Sequence, residues 1–178
     1  MGLIGVRTKK IAIVGVGNIL LKDEGIGVRV VQQLESSYSF PHEIALIDGA
    51  TAGPHLLDIF SDCDDIIVVD AVQGGEKPGT IYKFRLDQIS SETTMNLSIH
   101  QMGVLEIFSQ ARLLGKEPHV TFIGIEPQDI TTWSRELTPL IREKISALIE
   151  LVFKELDQMG VKRSAIVQKA THEEARSL

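Results

Sequence analysis

Residues 11–35 read IAIVGVGNILLKDEGIGVRVVQQLE, and this stretch decides the fold class. The short apolar run at residues 10–14 is typical of a buried strand, and the glycine turn GVGN follows it directly. Apolar residues then recur at helical spacing through residues 24–37, which predicts an amphipathic helix. A strand, a glycine turn and a helix in this order predict an α/β domain.

The same alternation of strand and helix continues along the chain. Further strands are predicted at residues 43–47, 65–70, 80–86 and 119–125, and further helices at residues 52–60, 101–114 and 137–157. We therefore expect helices on both faces of a mainly parallel sheet, with TIYKFRL at residues 80–86 as an antiparallel exception. Because Gly160 ends the regular pattern, residues 1–160 are expected to form one domain and residues 161–178 a loose tail.

The composition narrows the classes of function. The net charge of −6 argues against a nucleic-acid or anionic-membrane partner, and no apolar run approaches the ~20 residues of a membrane span. Cys63 is the single cysteine, so we expect no intramolecular disulfide and a cytoplasmic location. Its acidic neighbours in SDCDD disfavour the thiolate and make it a poor nucleophile.

Four polar side chains fall at one edge of the predicted sheet. They are Glu24 after the glycine turn, Asp48 and Asp70 at the ends of two strands, and His100 before a helix. Taken singly, Glu24 fits the first turn of a helix, Asp48 an Asx turn and His100 a helix cap or surface position. Asp70 differs, because a carboxylate at the end of a buried strand is costly unless it is paired or metal-bound. Together, carboxylates and an imidazole favour a transition-metal site.

The glycine turn on its own would suggest a dinucleotide. GVGNIL does not complete GxGxxG, because Leu20 stands at the third glycine position, and Asp23 and Glu24 would repel a phosphate. A nucleotide- or cofactor-binding module that uses the GVGN turn stays open as an alternative. The apolar residues 19–21 beside the proposed site either cover the core or form a docking patch.

Five blocks of the sequence, taken together, resemble the hydrogenase maturation endopeptidases. They are VGVGNILLKDEGIGVRVVQQLE, LIDGATAGPHLLDIF, IIVVDAVQGGEKPGTIYKF, SIHQMGVLEIF and VTFIGIEPQ. Members of this family trim the C-terminal extension from the large-subunit precursor of nickel–iron (NiFe) hydrogenases. The resemblance implies a three-layer α/β/α sandwich around a five-stranded, mostly parallel sheet with one antiparallel strand.

The resemblance also implies roles for the four polar residues. Glu24, Asp70 and His100 match the family's metal-contacting residues. Asp48, in the motif DGAT, matches an aspartate assigned a part in cleavage (an aspartyl-type activity) or in substrate positioning. The implied metal is nickel carried by the precursor, with cadmium or zinc as its substitutes in crystals, and the implied partner is that precursor. A non-catalytic nickel-binding chaperone with the same three ligands is a further alternative.

Overall fold

The structure, a computed structural model, describes residues 9–49, 55–86 and 99–169, with side chains from residue 103 onward in the last range. Its strands are β1 Ile11–Gly15, β2 Tyr38–Ser39, β3 Ile44–Asp48, β4 Asp65–Ala71, β5 Ile81–Arg85, β6 His119–Ile125 and β7 Val167–Gln168. Five of them form one sheet in the order β3-β1-β4-β6-β5. All pairs are parallel except β5 with β6. The predicted mostly parallel sheet with one antiparallel strand is thus confirmed.

Helices flank this sheet on both faces. They are α1 Ile26–Ser37, α2 His55–Asp62, α3 Ile99–Leu113, α4 Pro139–Glu143 and α5 Ile145–Gln158. Buried side chains of α1, α4 and α5 form one hydrophobic cluster with one sheet face, and those of α2 and α3 form a second cluster with the other. Every residue of β1 and β4 is buried, which explains their continuous apolar runs. No helix in the described part of the chain is long and apolar enough to cross a bilayer.

Two predicted helices differ from the structure at the level of single turns. The helix predicted at residues 24–37 begins with a 3-10 turn, Lys22–Gly25, and α1 proper starts at Ile26. The helix predicted at residues 137–157 is two helices, because the Lys144 amide donates to the Ile141 carbonyl three residues back. Such i→i−3 bonds tighten the last turn and end the α-helical ladder. The spacing of apolar residues does not reveal such a change of hydrogen-bond partner, so the sequence predicted one continuous helix.

The start of the predicted tail is folded, contrary to the sequence expectation. Residues 163–165 form a 3-10 turn, and β7 pairs antiparallel with β2. Ile166 is buried, and the Arg163 guanidinium lies 3.6 Å from the centroid of the Phe153 ring. These contacts with α5 and β2 hold the segment against the domain, while residues 170–178 lie outside the described residues. Residues 87–98, between β5 and α3, also lie outside them.

Candidate functional site

The carboxyl ends of the central strands meet at one edge of the sheet. Gly15 at the end of β1 pairs with Asp48 of β3 on one side and with Val69 of β4 on the other. Asp70 is the next residue of β4 and pairs with Gly124 of β6. Asp48 and Asp70 therefore lie at the same edge, separated by β1, as the sequence predicted.

The glycine turn brings the 3-10 turn onto this edge. Gly17 has a φ of +122°, and a Cβ there would lie 1.7 Å from the Glu24 carbonyl oxygen. A Cβ on Gly27 would lie 2.0 Å from the Val69 carbonyl oxygen, one residue before Asp70. Only glycine permits both approaches. The chain itself fills the space inside the turn, so the glycines serve packing, and the structure gives no support to a nucleotide in that turn.

Asp70 is a buried carboxylate with an unsatisfied oxygen. Its side chain is 1% exposed, and its Oδ1 atom accepts a hydrogen bond of 2.8 Å from the Ala71 amide. Its Oδ2 atom is buried and has no hydrogen-bond partner among the described residues. The pKa of Asp70 is raised to about 8, mainly by burial, against the opposing effect of the Ala71 amide and with a smaller contribution from the charge of Glu24. Half-buried Glu24 is thus electrostatically coupled to Asp70.

Asp48 shares the edge but projects to the other side of the sheet. Successive side chains of a strand alternate between faces, and Asp48 follows Ile44 and Leu46, which pack in the cluster of α1 and α5. Asp70 follows Ile66 and Val68, which belong to the cluster of α2 and α3. Consistently, no three His, Cys, Asp or Glu side chains within the described part of the chain are grouped to hold a metal ion. Asp48 is therefore not a third ligand beside Glu24 and Asp70 in this arrangement.

His100 lies in the first turn of α3. This helix packs through Val104 and Ala111 on the sheet face to which Asp70 belongs. The helix thus begins at residue 99 and already includes His100, one residue before the predicted start. The side chain of His100 lies outside the described residues, so the predicted set of Glu24, Asp70 and His100 stays a prediction.

Asp23 has a structural role that the sequence reading did not find. It is fully buried, and its Oδ2 atom accepts hydrogen bonds of 3.0 Å from the amides of Gln128 and Asp129. Its Oδ1 atom accepts 2.8 Å from the Thr138 amide, and the Thr138 hydroxyl also donates to the carboxylate. Asp23 is thus the anchor that ties the 3-10 turn carrying Glu24 to the segment after β6.

Glu126 is a second residue that the sequence reading missed. It follows β6 directly, is buried, and accepts hydrogen bonds on Oε2 from the amides of Gly74 and Glu76 and from the Tyr82 hydroxyl. These bonds fold the QGGEKPG loop over the edge of the sheet. A groove of about 650 Å³ is lined mainly by the segment after β6, with Gln73 of this loop and Lys22 at its sides. The signal in the sequence was the same as for Asp70, a carboxylate directly after an apolar strand.

The structure agrees with the prediction that Cys63 is a poor nucleophile. Burial raises the pKa of its thiol, and the charge of Asp62 raises it further. It precedes β4 and so lies at the opposite, amino edge of the sheet. A thiol that resists ionisation and lies away from Asp70 is not a nucleophile for this site.

Comparisons with known proteins find one consistent set of relatives. Residues 28–155 match the family model HycI, described as hydrogenase maturation protease. The hydrogenase expression/formation protein HupD of Bradyrhizobium diazoefficiens is 38% identical over 157 residues, which is 87% of this chain and 82% of that protein. The hydrogenase 2 maturation protease of Escherichia coli is 36% identical over 166 residues, 92% of this chain and 99% of that protein.

Solved structures give the same result for the fold. The hydrogenase maturating endopeptidase HybD from Escherichia coli superposes with a TM-score of 0.79 at 33% identity, covering 90% of this chain and 98% of that one. A HybD protein from Thermococcus kodakarensis, described as a NiFe hydrogenase maturation protease, superposes with a TM-score of 0.69 at 22% identity over 82% of this chain and 98% of that one. At that identity the second likeness concerns the fold alone.

Proposed function

Because the chain belongs to the hydrogenase maturation protease family, we propose that it removes the C-terminal extension from the nickel-loaded large-subunit precursor of a NiFe hydrogenase. Membership makes the protein a maturation protease. The proposal adds the substrate, the cut in its C-terminal extension and the use of substrate-borne nickel for recognition.

The buried carboxylate of Asp70 carries this proposal. An orphaned Oδ2 atom costs free energy in a folded protein, and here it persists beside a second acid, Glu24. A divalent cation arriving at this edge would displace the proton of Asp70, give Oδ2 its missing partner and balance the charge of both carboxylates. His100, in the first turn of the helix that packs on the same face, is the proposed third ligand. Carboxylates and an imidazole suit a borderline metal such as nickel.

Nickel in the precursor would then act in two ways. By binding to Glu24, Asp70 and His100 it would hold the precursor with its scissile peptide at the edge of the sheet, and only a loaded precursor would bind. As a Lewis acid it could polarise the peptide carbonyl or a water molecule. Asp48, across β1 at the same edge, is proposed to orient the attacking water or the peptide. Hydrolysis adds the water oxygen to the carbonyl carbon, breaks the C–N bond and delivers a proton to the leaving amine.

A cleavage assay tests the proposal. The purified protein is incubated with nickel-loaded and with metal-free precursor, and loss of the C-terminal peptide is followed on a gel and by mass spectrometry. We expect cleavage of the loaded precursor only, and equal cleavage of both forms would refute recognition through nickel. Binding of the precursor without cleavage would favour the chaperone alternative.

Site variants test the ligand set. Glu24→Gln, Asp70→Asn and His100→Ala should each abolish cleavage. Glu106→Gln is the matched control, because Glu106 is an exposed glutamate on α3, and this variant should cleave normally. Full activity in any two of the three site variants would overturn the assignment of the ligands.

A further inference from the structure

Two segments that are distant in sequence pair beside the candidate site. The Ser134 amide donates to the Leu20 carbonyl, the Lys22 amide donates to the Ser134 carbonyl, both at 2.9 Å, and Leu21 and Ser134 form a parallel bridge. One residue earlier in each segment stand Leu20 and Trp133. The bridge places the two backbones side by side, so Leu20 and Trp133 lie in adjacent segments. We call them the Leu20–Trp133 patch.

The Leu20–Trp133 patch is apolar and open to solvent. Trp133 is 77% exposed and Leu20 43% exposed. Tryptophan is enriched among the residues that anchor protein interfaces, and in folded proteins it is highly buried on average. Of the three apolar residues 19–21 that the sequence suggested as a docking patch, only Leu20 is exposed. The second member of the patch, Trp133, comes from a segment more than 100 residues later in the chain.

The backbone under the patch is held in place from both sides. Asp23 ties the first segment to residues 128–138 through the hydrogen bonds described above. The Asp129 carboxylate accepts bonds from the amides of Thr131 and Thr132, which form the turn before Trp133, and from the Lys22 ammonium group. An aromatic side chain presented on a fixed backbone loses little entropy on binding.

We propose that the Leu20–Trp133 patch is the docking surface for an apolar surface of the hydrogenase precursor beside its C-terminal extension, an inference that rests on the proposed function. Leu20 stands four residues before Glu24, so a protein seated on the patch reaches the candidate site. Lys22 and Asp129, one in each of the two segments, pair with each other at 2.8 Å, so their charges offset one another beside the two apolar side chains. The net charge of −6 disfavours an anionic lipid surface.

The size of the patch fits an anchor within a larger interface. A ring that offers about 250 Å² when fully exposed leaves about 190 Å² of Trp133 in solvent. A standard interface takes about 800 Å² from each partner, so two copies of this chain meeting at the patch alone would bury too little to form a stable dimer. A precursor that also contacts the site edge would supply the rest of the area.

Intrinsic fluorescence measures docking directly, because Trp133 is the only tryptophan of the chain. When the protein is titrated with nickel-loaded precursor, the emission of Trp133 should shift to shorter wavelength. The same titration of the Trp133→Ala variant gives the precursor's own tryptophan emission, which is subtracted. Trp133→Ala and Leu20→Ser should each raise the KM for precursor cleavage by at least about tenfold, a loss that higher precursor concentration recovers. Leu113→Ser is the matched control, since Leu113 is 88% exposed at the far end of α3, and its KM should not change.

The outcomes separate the patch from the proposed function. If the wild-type protein cleaves precursor and Trp133→Ala, folded by circular dichroism, does so with unchanged KM, the docking proposal is wrong. Light scattering provides a second criterion: a wild-type dimer that Trp133→Ala dissociates would assign the patch to self-association and overturn the proposal. If no cleavage occurs at all, the proposed function fails, and the fluorescence titration still decides whether the precursor covers Trp133.

Discussion

Replacing Asp70 by asparagine should stabilise the folded protein, and increasingly so as the pH rises. Burial raises the pKa of Asp70 to about 8 from 3.8. Between these values the folded state keeps the proton of Asp70 and the unfolded state has released it. Rising pH therefore favours unfolding of the wild-type protein through this residue. Asparagine is neutral in both states, so the variant lacks this contribution.

The magnitude follows from the proton linkage. Each pH unit between the two pKa values changes the free energy of unfolding by about 1.4 kcal/mol. From about pH 5.5 to about pH 7.5, the stability of Asp70→Asn relative to the wild type should therefore rise by about 2–3 kcal/mol. The side chain is 1% exposed, so solvent screening reduces this value little.

Urea unfolding followed by circular dichroism at the two pH values measures this difference without any substrate or metal. Asp23→Asn is the matched control, an aspartate of equal burial in the same region. It should lose about 2–4 kcal/mol, because an amide group would turn N–H donors toward the amides of Gln128 and Asp129.

The reasoning would be refuted by a stability difference between Asp70→Asn and the wild type that stays constant with pH. A difference that falls as the pH rises would refute it as well, because a pKa raised on folding makes the wild-type protein lose stability over this pH range. In either case burial would not keep the proton on Asp70 in the folded protein.

Three further variants test the packing and hydrogen bonds around the site. Gly27→Ala should cost about 3 kcal/mol in thermal unfolding, because its Cβ would meet the Val69 carbonyl, which belongs to the central strand β4. Gly103→Ala, whose Cβ meets no described residue within 4 Å, should be neutral or stabilise by about 0.5–1 kcal/mol, and equal losses in the two variants would contradict the packing argument. Burial and the hydrogen bond to Glu126 together raise the pKa of Tyr82 to about 12. Glu126→Gln should therefore lower the pH at which the tyrosinate absorbance band appears, and an unchanged titration would mean that Glu126 does not hold the hydroxyl.

The sequence predicted those strands and helices whose apolar residues form a clear run or recur with a clear period. The strand predicted at residues 119–125 agrees residue for residue with β6, because its apolar run is bounded by Pro118 and Glu126. The helices were found where apolar residues recur with helical spacing, as in α1. The two-residue strands β2 and β7 were missed, since two residues carry no periodicity.

The sequence by itself determined the order of the elements and the edge of the sheet at which Glu24, Asp48 and Asp70 would lie, because strand direction in a parallel sheet follows from chain connectivity. It did not determine which of these groups share a face. That depended on the register of Asp48 with Gly15 and of Asp70 with Gly124, and register is a property of paired strands.

Tertiary structure alone decided the role of Asp23 and the existence of the Leu20–Trp133 patch. Asp23 and Thr138 are 115 residues apart in sequence, and more than 100 residues separate Leu20 from Trp133. No local pattern encodes such contacts. They form because folding buries Asp23, and a buried carboxylate must find donors wherever the packed chain supplies them.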